Sequence, residues 1–406
     1  MIDTLLLSLI ALSFLIGQVG RISLGNGIQF YALEFIVLLH VLILLFRKRM
    51  SLMPAIIRCH AELVPKISCI LDKIGISASK KHIHISTVTL FWFIYVIFLY
   101  IITSLGKDFS DNVKAGMYIA RIGLFAIYFY LLTLSHIQKP FIARVLWTVS
   151  MVIPALCLLQ YIFVPDLRFL AQLGWDPHMY RAVGLILDPP IVGVMLGVLL
   201  FVAVIKRDYL AILINYCAVV FLFSRSTYLA IAFVIFIYLV SQKKYLGTIL
   251  WLVVLSTSIY LAPKTIPAYY NLESAKIERV STVLSRKVEL ENGFRAWMSH
   301  PIFGIGYNRV AEYKQSLLHI YGKEVASNHS SSAFHSFWLT QLATTGIIGF
   351  VLLVSGYVLV MKRSFGWFLA LTIPALVGLL DNVVFHPFVL TIFIFVYFSE
   401  VLDQAT

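Results

Sequence analysis

The sequence predicts an all-α polytopic membrane protein with about 12 transmembrane helices and one large loop outside the membrane. Three observations predict this class. Sixty per cent of the residues, 60%, are hydrophobic. The apolar residues form long runs, and a basic cluster follows every second run. A soluble core for 406 residues does not call for that much apolar side chain.

A spanning helix takes roughly 20 mostly apolar residues, and about twelve candidate runs are present. They cover 2–17, 28–46, 86–104, 117–137, 142–164, 183–205, 209–223, 227–241, 245–262, 333–361, 365–380 and 388–402. The first run lacks a basic lead-in and a clean small-x-small cleavage site, so it reads as a spanning helix rather than a secretory signal. The basic clusters are Arg47 to Arg49, Lys139, Lys206–Arg207, Lys243–Lys244 and Lys362–Arg363. Each follows an even-numbered run, which places them all in the cytoplasm, together with both termini. The segment 51–85 lies on that side and reads as a basic, amphipathic element on the lipid surface. The expected division is therefore 1–262 with helices one to nine, a loop at 263–332, and 333–406 with helices ten to twelve.

The formal net charge of +13 would suggest nucleic acid in a soluble protein. Here basic loops that fix orientation absorb much of it, and no nucleic-acid partner is expected. The four cysteines, Cys59, Cys69, Cys157 and Cys217, form no CxxC pair, which leaves no zinc site or disulfide framework. No inverted repeat of the transporter kind is visible.

The remaining loops face outward on this topology: 18–27, 105–116, 165–182, the turn at 224–226, the long loop, and 381–387. In the long loop, "STVLSRKVELENGFRAWMSHP" has helical spacing, with Val283, Val288, Leu290, Phe294, Trp297 and Met298 on one apolar side. Pro301 stops this helix, and Gly304 to Gly306 turn the chain.

The ionisable residues that do not serve orientation collect on this outer side. Charged groups near membrane depth are costly and usually mark a site. A lone arginine at an interface can simply snorkel. Several on one rim, Arg121, Arg181, Arg225, Arg279 and Arg286, predict a phosphate or pyrophosphate ligand, because guanidinium binds phosphate bidentately. No DxD motif or closely spaced acid pair offers a metal site, so the arginines would stabilise the leaving group. Among the histidines, His335 heads the helix face formed by Trp338, Leu339 and Leu342 and suits a general base. His329, in a serine-rich stretch, is the second candidate. His178 and His300 each neighbour a proline and read as structural.

These pieces together resemble the bacterial O-antigen ligase and polysaccharide polymerase superfamily. They occur in the family's order: "GQVGRI" (17–22), "YIARIGLF" (118–125), "GWDPHMYRAVGLILDPPIVG" (174–193), "FSRSTYLA" (223–230), "RKVELENGFRAWMSHPIFGIGYN" (286–308), "HSSSAFHSFWLTQLATTGIIG" (329–349) and "LLDNVVFHPF" (379–388). The resemblance implies a GT-C-like fold in the bacterial inner membrane, with the active site on the periplasmic side. It implies transfer of a glycan from undecaprenyl pyrophosphate to an acceptor hydroxyl, with inversion and without metal, nucleotide or other cofactor. Arg181, Arg225 and Arg286 match pyrophosphate-binding arginines, and His335 matches the ligases' catalytic histidine. Asp188, Trp297, Tyr307 and Asp381 are then candidates for substrate binding, with Tyr313 as a further sugar-stacking ring. Implied partners are the lipid-linked glycan, membrane lipid, and chain-length regulator and flippase proteins. Pro190 replaces an asparagine common in polymerases, and His335 stands where many polymerases carry aspartate. The "GWDPH" and "ATTG" stretches lean the reading towards a polymerase that joins repeat units, with a ligase acting on lipid A core as the alternative. A transporter of the same lipid-linked glycan is a third reading, and it predicts charges through the membrane depth.

Overall fold

The computed structural model describes residues 2–23, 29–61, 80–135, 139–173, 175–267, 280–321 and 333–404. These residues form an all-α bundle with a single two-stranded hairpin. The helices are α1 (Ile2–Ile16), α2 (Ala32–Ala61), α3 (Lys80–Ser104), α4 (Phe109–Leu134), α5 (Lys139–Phe163), α6 (Pro189–Lys206) and α7 (Tyr209–Phe221). After these come α8 (Arg225–Ser241), α9 (Tyr245–Leu261), α10 (Val280–Ser299), α11 (Val310–Tyr321), α12 (Phe337–Met361), α13 (Phe365–Val377) and α14 (Pro387–Ser399).

Every predicted apolar run falls on one of these helices. Among the described residues, 6 helices are long and apolar enough to cross a membrane, and several shorter apolar helices accompany them. Several boundaries differ from the sequence reading, among them helix α4, which begins at Phe109 inside the expected loop 105–116. The run at 28–46 opens as strand β2 (Gln29–Tyr31), which pairs antiparallel with β1 (Arg21–Ser23). Helix α2 then continues to Ala61, so residues 51–61 of the expected surface segment 51–85 are helical, as are 80–85 in α3, while 62–79 lie outside the described residues. The run at 183–205 becomes helical only at Pro189, after Asp188 caps it and Leu187 takes a φ of 59°.

Helix α6 is the axis of the bundle. Its residues are apolar all round, and a helix of that kind must be covered on every side. It packs against α5, α7, α8, α13 and α14. Gly193 sets the α6–α8 approach, since a Cβ there would lie 2.0 Å from Thr227 Oγ1. That approach brings the start of α8 up to the α6 N-terminus.

Helix α12 is broken in its interior. Gly346 has φ 65° and ψ −173°, a conformation essentially reserved for glycine. The break frees backbone groups that need partners. The segment after α10 supplies them: Ile305 N–H donates to Ala343 O (2.9 Å), Gly306 N–H to Thr344 O (3.1 Å), and Ile347 N–H to Pro301 O (2.9 Å). Gly304 makes the close approach possible, because its Cβ would lie 2.5 Å from the Thr344 carbonyl carbon.

The exposed and buried faces of α10 are not those its apolar spacing suggests. Phe294 and Met298 are exposed, whereas Glu289, Asn292, Gly293 and Ala296 are buried against neighbours. Two contacts explain the reversal. Glu289 pairs with Lys314 of α11 at 2.6 Å, and Gly293 admits Leu339 of α12, whose Cδ2 would lie 2.6 Å from an added Cβ.

Candidate functional site

Four chain segments meet at the α6 and α8 N-termini. The first is the stretch that leads into α6. Arg181 donates from Nε to Leu222 O (3.1 Å) and from Nη2 to Phe223 O (3.0 Å). It thereby clasps the connection between α7 and α8. Phe223 takes a φ of 52°, and its N–H donates to the Tyr228 hydroxyl at 3.0 Å. Ser224 is the N-cap of α8, and its Oγ accepts from Thr227 Oγ1 at 2.9 Å. The predicted turn at 224–226 is thus the first turn of a helix. Arg225, its first helical residue, is half-buried at the positive end of the helix dipole.

The centre of the cluster is Asp381, in the connection between α13 and α14. Its carboxylate accepts from Arg286 Nη2 at 3.0 Å and from Ser226 Oγ at 3.2 Å. It is buried, and burial pushes its pKa up to about 7, against the opposing pull of Arg286, while Asp188 pushes it further up. Asp188 accepts from Ile191 N–H at 3.3 Å as the α6 N-cap. Desolvation raises its pKa to about 6, with Ile191 N–H and Arg181 pulling it down and Asp176 pushing it up. Two carboxyls therefore share one electrostatic neighbourhood with Arg181 and Arg286. No sequence spacing revealed that acid pair, because its members come from distant parts of the chain.

His335 precedes α12 by two residues. The chain around it is held on three sides. Lys314 Nζ donates to Ala333 O at 3.0 Å, Phe334 N–H donates to Thr340 Oγ1 at 3.1 Å, and Phe337 N–H donates to Gly378 O at 2.8 Å. Ser336 caps α12 through Leu339 N–H and also donates to Gly378 O at 3.3 Å. The same α13–α14 connection that anchors His335 therefore carries Asp381 three residues later. The His335 side chain is half-buried at this position.

Other predicted site residues lie elsewhere. Arg121 forms an ion pair through Nε with Glu34 Oε1, and its Nη2 lies 3.3 Å from Glu34 Oε2. Its guanidinium also sits 5.0 Å from the Tyr118 ring and 5.6 Å from the Tyr31 ring. The carboxylate answers this charge inside the protein, unlike a cation held for an anionic ligand. Glu34, 3% exposed, escaped the sequence reading because it stands inside an apolar run without a charged neighbour. His386 lies beside this pair, its ring 5.2 Å from that of Tyr31, and burial lowers its pKa to about 3. Tyr307 is not an open stacking platform: it is buried edge-on to Trp92 at 6.2 Å. The Trp297 indole donates to Pro301 O at 3.2 Å and is half-buried. Tyr313 packs in the small core around Phe334. Arg279 and His329 lie outside the described residues.

Sequence reasoning also passed over Arg309. It is buried and binds Glu312 (2.6 Å), Ser104 Oγ (3.0 Å) and Asn112 Oδ1 (2.5 Å), which ties the long loop to the α3–α4 turn. Only its place beside the Gly304–Gly306 turn could have drawn notice.

Comparison with curated proteins gives no significant match. The O-antigen ligase family model matches residues 209–354, from the start of α7 into α12 beyond its break. The matched segment contains Arg225, Arg286 and His335. Over this segment, about a third of the chain, the protein is similar to the O-antigen ligase family.

Proposed function

We propose that this protein is a membrane glycosyltransferase that transfers a glycan from undecaprenyl pyrophosphate to an acceptor sugar hydroxyl, joining polysaccharide repeat units. The observation that carries the reading is the meeting of Arg225, Arg286 and His335 elements around Asp381, all three within the segment matched to the O-antigen ligase family. On this reading the bundle is GT-C-like with twelve spans in the bacterial inner membrane. Both termini face the cytoplasm, and the Asp381 end faces the periplasm. Neither the acceptor nor the linkage follows from these residues, and a ligase acting on lipid A core is the alternative.

The chemistry runs as a single inverting displacement. The acceptor hydroxyl attacks the anomeric carbon as its proton passes to His335. The bond from that carbon to the phosphate oxygen breaks, and undecaprenyl pyrophosphate leaves with the negative charge. Arg225, at a helix N-terminus, and Arg286 stabilise that charge; donors of this kind contribute about 10²–10³-fold each. Arg286 must exchange its Asp381 partner for phosphate, or bind both. Arg181 acts one step back, since its guanidinium holds the backbone just before Arg225.

One observation favours a second base. Asp381, with a pKa of about 7, can take and release a proton near neutrality. The test is transfer in vitro with purified protein in nanodiscs, lipid-linked repeat units and a chelator. His335→Ala, Asp381→Asn and Arg225→Ala run beside the wild type. A ladder of longer lipid-linked glycans, lost in His335→Ala and Arg225→Ala, supports a metal-free polymerase with His335 as base. Loss in Asp381→Asn with activity kept in His335→Ala moves the base to Asp381. Transfer only after lipid A core is added makes the protein a ligase. No transfer to either acceptor refutes the reading.

A further inference from the structure

The C-terminal end of α10 runs alongside α12 in parallel as far as Pro301, after which residues 302–306 turn back towards Ala343 and Thr344. Gly293 faces Leu339, and Pro301 O bonds to Ile347 N–H, so both chains advance together. Residues 301–306 then pair with the backbone on both sides of the Gly346 break. Their depth follows from α12 itself. Gly346 stands about fifteen residues before Met361, or about 22 Å of helix, against a hydrocarbon core of about 30 Å. Lys362 and Arg363 mark the far boundary. The break, with the segment seated in it, therefore lies about 7 Å below the near boundary.

At that level the segment turns apolar side chains outward. Met298 is 71% exposed, Ile302 54%, Phe303 52% and Phe294 49%. Exposed apolar residues so close together would be a liability in water. The buried polar backbone here is equally telling. Non-helical backbone is tolerated at membrane depth only where protein satisfies it, and the three hydrogen bonds to α12 do so. The exposed polar neighbours Arg295, Ser299 and His300 limit how deep this end can go.

We infer that residues 298–306 form a re-entrant element whose side chains Met298, Ile302 and Phe303 contact lipid acyl chains in the upper part of one leaflet. The long loop is thus not wholly aqueous, and α10, which carries Arg286 at one end, is anchored in lipid at the other. The inference rests on α12 crossing the membrane, and does not depend on the transferase reading.

The test is spin labelling of single cysteines in proteoliposomes, in a background with the four native cysteines replaced. Labels go at Ile302 and Phe303, at Lys287 in the first half of α10, and at Val351 on the exposed side of α12. Power saturation compares collision with oxygen, which concentrates in lipid, and with a water-soluble nickel chelate. Val351 reports whether α12 spans. The expected result is oxygen-dominated relaxation at 302, 303 and 351 and nickel-dominated relaxation at 287, with the ratio differing several-fold. Nickel-dominated relaxation at 302 and 303 while 351 stays oxygen-dominated overturns the inference. The same pattern with 351 also nickel-dominated removes the spanning α12 on which it stands.

Discussion

Replacing Gly346 by alanine should weaken the protein far more than the same change at Gly356, on the same helix. At Gly346 an added Cβ would lie 2.1 Å from Ile302 O and 2.6 Å from Phe303 N, both backbone atoms that cannot swing aside. The φ of 65° with ψ of −173° adds the strain of a glycine-only conformation, about 1–3 kcal/mol. Relief of the clash requires residues 301–306 to withdraw, which loosens the bonds to Ala343, Thr344 and Ile347. Each is worth about 0.5–1.5 kcal/mol net. The total is on the order of 3–6 kcal/mol. At Gly356 the nearest atom to an added Cβ is 3.7 Å away, ordinary contact. There alanine should be neutral or stabilise by about 0.5–1 kcal/mol, as in any helix interior. Thermal unfolding in detergent, followed by intrinsic fluorescence, should show a drop of roughly 5–10 °C for Gly346→Ala and none for Gly356→Ala. Equal midpoints for the two variants would refute the idea that the break is an enforced, plugged feature.

Three further outcomes follow from buried charges. Glu34→Gln removes the carboxylate that faces Arg121 inside the bundle and should cost about 3–5 kcal/mol, most of it recovered in Glu34→Gln/Arg121→Met; unfolding midpoints of the three proteins measure this. Lys314→Met removes the Lys314 ammonium from buried Glu289 and its hydrogen bond to Ala333 O. It should lower both the midpoint and the transfer rate, and Glu289→Gln added to it should restore the midpoint; transfer assays with midpoints report the pair. The third concerns pH. Asp381 has its folded pKa raised to about 7 from 3.8, so the stability tied to its protonated form is present in acid and lost as pH rises through 7. Asp381→Asn removes that loss. Its stability relative to wild type should become more favourable between pH 4 and pH 7, above a constant offset from the unpaired Arg286; midpoints recorded across that range, if parallel for the two proteins, would show that Asp381 is charged throughout.

The apolar helices were legible because length and apolarity alone determine them, whereas the polar helix α11 (Val310–Tyr321) was not. Pairing was not legible. Arg121 and Arg225 look alike in sequence, each without a charged neighbour, yet Glu34 reaches Arg121 from a helix far away along the chain. Likewise, nothing near Asp381 in sequence announces Arg286 or Ser226 as its partners. The α10 face was misjudged for a related reason. Apolar spacing locates a core only when the surroundings are water, and a helix beside lipid can turn Phe294 and Met298 outward while burying Glu289 on a lysine. Gly304 and Gly346 were visible as glycines, but their mutual approach belongs to tertiary structure.

The interrupted helix also bears on how the chain is assembled. Residues 301–306 emerge from the ribosome before α12, yet they can bond to it only once both are in place. Glycine accepts helical angles as readily as those of the break, so α12 can enter the bilayer as an uninterrupted helix with no backbone group exposed to lipid. Insertion and breakage would then be separate events, with docking of residues 301–306 opening the helix. A lipid-embedded peptide of residues 333–364 should accordingly be helical through Gly346 by NMR. In the whole protein the same glycine would change state late, as a latch that records the arrival of the long loop.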